Sequence, residues 1–386
     1  MFSQVLLSRV LLIFYRIYFH PLRSFPGPTL WTVSDLPYTY TNNISGTGVR
    51  QIAELHRIHG PIVRVGPNRL ALDGSIGWTQ VFARRPASEP EYEKTPGYFP
   101  PGAEYAIIGS PHQAHRRQRK QLGHAFSDAV IHDHEKTINS YVQLLVQRIQ
   151  EHADSKEKVD IVKWLNFTTF DVIGELTYGE PFGSLQSSHY HPWVLSIFTG
   201  IKADSFARAC RAYPIMGALL SFLFRSKVTK GAENRQLGMA KGRARMELGI
   251  QLKGQKDFTS YMMQTDREGR PGLLPTEIMA NSPILVVAGS ETTASALSAF
   301  FFYLNNTPQA KQVLVDEIRS AFSNESEISL TATAQLEYLH AVIEETLRMY
   351  PPASHTPSRT CPGGTIDGRY IPKGVSPLQT AVIGIC

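Results

Sequence analysis

The stretch that most restricts what this chain can become is the apolar run from Pro275 to Leu304. A helix that is apolar nearly all round must be buried, so it predicts a central element around which the rest packs. Set into it is Ala288-Gly289-Ser290-Glu291-Thr292-Thr293. An acid and adjacent hydroxyls in such a helix are costly unless they find partners. Gly289 carries no side chain and would let a flat ligand approach the backbone. The Thr292 hydroxyl can bond the Ala288 carbonyl four residues back or release it to a water, and Glu291 beside it could pass protons inward. Two readings stay open on these residues: a groove with a proton relay, or a helix-packing notch whose polar groups are satisfied. One turn earlier, Pro283 removes a backbone donor and crowds the preceding turn, at about 3 kcal/mol unless a kink absorbs it. A bend between Met279 and Pro283 is expected.

Helices dominate from about Ser110 onward. They are read over His112 to Phe126, Lys136 to His152, Ile161 to Tyr178 (closed by Gly179), and Gln335 to Met349, which stops at Pro351-Pro352. Thr307-Pro308 places an N-cap and an N1 proline before a helix running to Phe322. Strands are few. Pro61 to Pro67 and Arg69 to Leu72 flank Asn68 as a hairpin, and a second pair within Gly364 to Ile371 turns at Asp367-Gly368. The sum is a mainly α chain with a small β-sheet region, in one cooperative unit without a clear linker.

Two further constellations stand on helices. Glu345 and Arg348 are three apart, so they share a face and can pair; as a surface pair this contributes little, under about 1 kcal/mol. Between Leu347 and the terminating prolines they read instead as a buried lock. His115 and Arg119, in His-Arg-Arg-Gln-Arg-Lys-Gln-Leu, are four apart and could grip two anionic groups; the alternative is a basic solvated face.

The net charge of +6 over 386 residues admits an anionic membrane, an acidic redox partner or nucleic acid. No aromatics are interleaved with the basic run at 115–122, which speaks against nucleic acid. Three scattered cysteines, Cys210, Cys361 and Cys386, make neither a disulfide framework nor a zinc site. Residues Val5 to Phe19 are largely apolar but carry Arg9 and Arg16 on one face and are short for a crossing. They read as a helix lying in a membrane interface or as a buried N-terminal helix. Phe25-Pro26-Gly27-Pro28 then gives a stiff, bent connector.

Taken in chain order, His-x-x-x-Arg at 115 and 119, Ala-Gly-x-Glu-Thr-Thr at 288–293 and Glu-x-x-Arg at 345–348 resemble the C, I and K helix motifs of cytochromes P450. The segments His20 to Pro28, Phe170 to Glu175 and Phe182-Gly183 are similar to fungal microsomal members, many of which act in secondary-metabolite pathways. The likeness runs from about His20 to Gly374. It implies a cytochrome P450 fold and a haem (heme) monooxygenase that inserts one oxygen atom into a hydrophobic small molecule. Electrons would come from NADPH through a membrane-bound reductase. By the same resemblance Glu291 and Thr292 are catalytic, in proton delivery. His115 and Arg119 would bind the haem propionates, Ala288 and Gly289 would line the cofactor, and Glu345 and Arg348 would hold the fold near its proximal side.

The implied organisation is an anchor and basic flank over 1–24, the P450 domain over 25–374 and a non-family tail over 375–386, on the cytosolic face of the endoplasmic reticulum membrane. In the family the last strand pair is followed by an arginine and a Phe-x-x-Gly-x-Arg-x-Cys-x-Gly loop that supplies the iron ligand. That loop does not occur in these 386 residues. The expectation is therefore a fold incomplete at the C-terminus, through a frameshifted, mis-spliced or mispredicted end, with no metal ligand assigned and inactivity as the chain stands. The alternative is a non-catalytic remnant. Tyr98 to Ile108, Ser205 to Leu223 and Ala294 to Phe302 are the expected pocket-lining stretches; they suggest a hydrophobic substrate and nothing finer.

Overall fold

The computed structural model describes residues 2–83, 85–86, 89–213, 225–250, 256–265, 269 and 271–379. Cys386 and the 214–223 part of the expected pocket lining lie outside them. The elements that matter begin with α1 (Phe2–Tyr18) and α2 (Gly48–His59), then strands β1 (Ile62–Gly66) and β2 (Arg69–Leu72). Next come α3 (His112–Gly123), α4 (Glu135–Asp154), α5 (Ile161–Tyr178), α6 (Pro192–Ala212) and α7 (Arg225–Glu247). The chain continues through α8 (Phe258–Met263), the central helix α9 (Pro275–Asn306), α10 (Pro308–Ala321) and α11 (Glu337–Met349). It closes with β3 (Gly364–Ile366), β4 (Arg369–Ile371) and β5 (Ser376–Gln379). The architecture is mainly helical with small sheets, as expected.

Contacts group the chain into two compact units: 1–101 with 201–228 and 353–386, and 102–200 with 229–352. Each unit is discontinuous, so the chain has no single linker for composition to reveal.

In the first unit β1 and β2 form the expected antiparallel hairpin, with Ile62 opposite Leu72 and Arg64 opposite Leu70. β5 adds in parallel to β2, Ala71 beside Leu378, so the segment read as a tail begins inside the sheet. The sheet is covered on both faces, which is why β1 is buried along its whole length. Leu70 and Leu72 pack with Leu22, Phe25, Ile366 and Ile371, while Val63 and Val65 pack with Trp31, Tyr38 and Ile52. The β3–β4 turn uses Asp367 and Gly368, both at positive φ, the backbone that a two-residue hairpin demands.

Arg64 ties the N-terminal elements to this sheet. Its side chain is 2% exposed, and Nη1 donates to the Arg16 carbonyl and Nη2 to that of Pro67, each at 3.0 Å. Burial, and then the nearby Arg16, lower its pKa to about 10. Its backbone N–H donates to Pro26 O at 2.7 Å, and a Cβ on Gly27 would stand 2.2 Å from Arg64 O. The Pro-Gly-Pro hinge is thus pressed onto a strand backbone that cannot retreat. Gly27→Ala is expected to cost about 1–3 kcal/mol, read as a lower urea midpoint; an unchanged midpoint would mean that the hinge slides freely on β1.

The second unit is organised by α9 against α5. Asp160 caps the start of α5 through Lys163 N–H, and Gly179 at φ 70° ends it. Phe170, Tyr178 and Phe182 pack with Trp193, Val194 and Val286. α9 stays helical through Pro283, from Pro275 to Asn306. The proline ring lies against α7 at Gly238, whose absent Cβ would meet the Pro283 Cβ at 2.8 Å. The helix before it carries side-chain bonds of its own, Asn281 Nδ2 to Glu277 O at 2.9 Å and Ser282 Oγ to Ile278 O at 2.8 Å. At the next helix start, Thr307 makes no side-chain cap bond, and Pro308 alone supplies the start signal.

Candidate functional site

The middle of α9 carries the singled-out hexapeptide, and its residues diverge around the helix. Ala288 and Thr292, four apart, lie exposed on one stripe of the helix. The Thr292 hydroxyl donates to the Ala288 carbonyl at 2.6 Å, as the spacing allowed. Ser290 is buried and donates to Val286 O at 2.6 Å.

Gly289 faces another way. A Cβ there would come within 2.7 Å of Ile173 Cδ1 on α5. Its missing side chain permits the close approach of two helices. Ala288 keeps its place on the open stripe.

Glu291 is half-buried, and its Oε2 has no hydrogen-bond partner. Burial lifts its carboxyl above the usual carboxylate range. Tyr190, packed edge-on against Phe167 and Phe198, has its own pKa raised, first by burial and then by the Glu291 charge. Glu291 is therefore a desolvated acid with free hydrogen-bonding capacity, one residue from an exposed threonine.

The basic helix α3 presents Arg119 to solvent and His115 half-buried. A groove of about 420 Å³ runs along Gln113, Arg116, Arg117, Lys120 and His124 to Pro271–Leu273. α3 is fixed to α9 by a partly buried network that the sequence reading missed. Arg117 and Gln118 both reach the Glu277 carboxylate, and Asn281 Nδ2 donates to Gln118 Oε1 at 3.0 Å. Burial pushes the Glu277 carboxyl up, but the bonds from Arg117, the Leu274 N–H and Gln118 outweigh it and hold it low. The available signal was a polar pair four apart, Glu277 and Asn281, early in an apolar helix.

Glu345 and Arg348 do pair, through two bonds of 2.6 and 2.7 Å. The expected burial is not found: their side chains are 59% and 50% exposed. Three residues of helix turn them to one face, and that face is open. Pairing with Arg348 lowers the Glu345 pKa. Water competes for both groups at such exposure, so Glu345→Gln is expected to leave the thermal unfolding midpoint unmoved; a drop of several degrees would show the pair acting as a lock. Beside it a groove of about 410 Å³ is lined by Tyr303, Leu304, Tyr338, Val342, Thr346 and Met349.

Ala288 and Thr292 are exposed on α9, and Arg116, Arg119 and Lys120 are exposed on α3. The two described cysteines are free and buried. Cys361 is fully buried among Leu22, Phe25, Tyr92 and Ile371, its sulfur held between Gly363 N–H and Ile371 O at 3.4 and 3.7 Å. Cys210 is buried at 9% exposure on α6. Among the described residues no cluster of His, Cys, Asp and Glu could hold a metal ion.

The N-terminal helix α1 exposes Leu6, Leu7, Val10, Leu11 and Phe14. Among the described residues the one helix long and apolar enough to cross a membrane is α9, at mid-chain and not at the N-terminus.

Residues 26–378 match the family model described as Cytochrome P450. The chain is 39% identical over 372 residues to the cytochrome P450 monooxygenase astJ of Aspergillus oryzae, covering 94% of this chain and 72% of that relative. It is 36% identical over 369 residues to the trichothecene C-15 hydroxylase of Fusarium sporotrichioides (94% and 74% covered). It is 34% identical over 379 residues to the versicolorin B desaturase of Dothistroma septosporum (95% and 72% covered).

Proposed function

Because the chain belongs to the cytochrome P450 family, we propose that it serves as a haem-thiolate monooxygenase oxidising a hydrophobic small molecule in fungal secondary-metabolite biosynthesis. A monooxygenase role is what its fungal relatives support. The finer reading rests on one observation: a half-buried acid with an unpartnered oxygen, Glu291, next to the exposed Thr292.

Haem, when bound, supplies the oxygen chemistry, and the protein supplies position, water control and protons. Ala288 and Thr292 would line the group, and His115 and Arg119 would pair with its carboxylates. Glu291 holds a proton more readily than an ordinary glutamate because its charge is desolvated. It passes that proton toward the Thr292 hydroxyl, which can exchange its bond to Ala288 O for a water. Glu345 and Arg348 pair on the exposed face at the end of α11. Residues 1–24 act as the anchor of a 25–374 P450 domain. The apolar face of α1 lies on the cytosolic side of the endoplasmic reticulum membrane, and electrons arrive from an NADPH-dependent reductase.

A second reading is a non-catalytic form of such an enzyme, and what supports it is the burial of Cys361 in the core with Leu22, Phe25 and Tyr92. The reduced, carbon-monoxide-bound difference spectrum of the 386-residue chain expressed with haem supply separates the two. A thiolate-type Soret band supports the monooxygenase; its absence in haem-loaded chain supports the non-catalytic form.

A further inference from the structure

The loop Ala103–Gly109 hangs from two side chains of the helical body. Asn281 on α9 is fully buried, and its Oδ1 accepts from Ile107 N–H at 2.9 Å. Its Nδ2 donates to Gln118 Oε1 at 3.0 Å and to Glu277 O at 2.9 Å. Gln118, also fully buried, donates Nε2 to the Tyr105 carbonyl and to Glu277 Oε1, both at 3.2 Å. Two backbone positions of the loop, one acceptor and one donor, are therefore held by amides whose other atoms are already committed. The loop is also closed on itself: Ser110 N–H donates to Ala106 O at 2.8 Å, and a Cβ on Gly109 would meet Ala103 O at 2.4 Å.

Where the loop is held decides what it can do. Positions 281, 285, 288 and 292 fall on one stripe of α9, at i, i+4, i+7 and i+11. At 1.5 Å per residue, Asn281 lies about 10 Å along the helix from Ala288 and about 16 Å from Thr292. Ile107 packs against the cluster of Leu122, Met262 and Ile278 to which Leu285 also contributes. Tyr105 and Ile108 are 50% and 41% exposed.

We infer that Asn281 is a positioning residue. It fixes the Ala103–Gly109 loop over the stripe that presents Leu285, Ala288 and Thr292, making the loop a rigid apolar wall of the substrate cavity. The inference rests on the proposed monooxygenase reading for what the cavity is, but not for whether the wall is held. The preferred ligands are apolar and neutral, because Asn281 and Gln118 spend their polar atoms on the backbone and on each other.

The test compares full-length wild type, Asn281→Ala and Asn281→Asp by hydrogen exchange of the 103–110 segment and by fluorescence titration with Nile red, a neutral apolar dye. In Asn281→Ala the loop amides are expected to exchange about tenfold faster or more, as a lost buried hydrogen bond implies, and Nile red to bind more weakly. Asn281→Asp tells positioning from general damage. A protonated acid keeps one donor and one acceptor, whereas a carboxylate faces the Glu277 and Gln118 oxygens with none to donate. Loop protection in Asn281→Asp, corrected for intrinsic exchange, should therefore recover toward wild type as pH falls. Unchanged loop exchange in Asn281→Ala overturns the inference, as does faster exchange with unaltered dye binding. If Asn281→Ala unfolds throughout, the pH response of Asn281→Asp decides alone, and a flat response overturns it. Failure of the haem reading would appear separately in the carbon monoxide spectrum, leaving the loop and dye results intact.

Discussion

Asp257→Ala is expected to remove about 3–5 kcal/mol of stability, the scale for breaking a buried ion pair from one side. Asp257 and Arg245 are 4% and 2% exposed and meet through a two-pronged bond in which Nε and Nη2 reach the two carboxylate oxygens. The same carboxylate starts α8, since Oδ1 accepts from Ser260 N–H and Ser260 Oγ at 2.8 Å each. Without it the guanidinium would remain in a dry site with only Gly249 O and Ser260 Oγ as acceptors. α8 would also lose its cap beside Thr259, which donates to Thr177 O at the end of α5. Urea unfolding of the variant measures the loss. Asp257→Asn should lose less, because its carbonyl still caps Ser260. Replacing both partners by leucine-sized apolar residues should lose less than Asp257→Ala, because no unpaired charge stays behind. A loss under about 1 kcal/mol in Asp257→Ala would mean that water reaches the pair.

Glu291→Gln is expected to move stability and turnover in opposite directions. Its carboxyl is raised by burial, so the folded protein binds this proton more tightly than the unfolded chain does. Ionisation of a group shifted this way destabilises the fold. The penalty is absent below the ordinary carboxylate range and complete once pH exceeds the raised folded value. Glutamine cannot ionise, so the variant should gain thermal stability over wild type as pH rises from 4.5 toward 8, with the difference closing at the acid end. A constant difference across that range would place the shift elsewhere. In haem-loaded protein the same variant should turn over about 10²–10⁴-fold more slowly, the usual worth of a positioned proton donor. Full turnover would remove Glu291 from the proton path while leaving the stability result standing.

The parts of the structure that were legible beforehand are the ones decided within a few residues. The β1–β2 hairpin, the Gly179 stop after α5, the Asp367-Gly368 turn, the proline start of α10 and the Thr292 to Ala288 bond each follow from backbone preference or from a side chain four residues away. Chain-order spacing of the α3, α9 and α11 motifs was enough to recognise the family that the match over 26–378 establishes.

What failed, or was never seen, depends on partners far along the chain. Helical spacing alone could not show that Gly289 lets Ile173 of α5 approach closely. Glu345 and Arg348 pair as their spacing requires, yet burial is a property of what covers a face, and that face is half-open. Asn281 meets Ile107 across 174 residues, and no local pattern marks that bond. The sequence by itself determined which elements form and which reactive residues they carry, because helix periodicity, caps and turn backbones are local energies. Only the tertiary structure decided which of those residues are desolvated, which are clamped and which stay in water, because burial and long-range hydrogen bonds are set when distant segments pack.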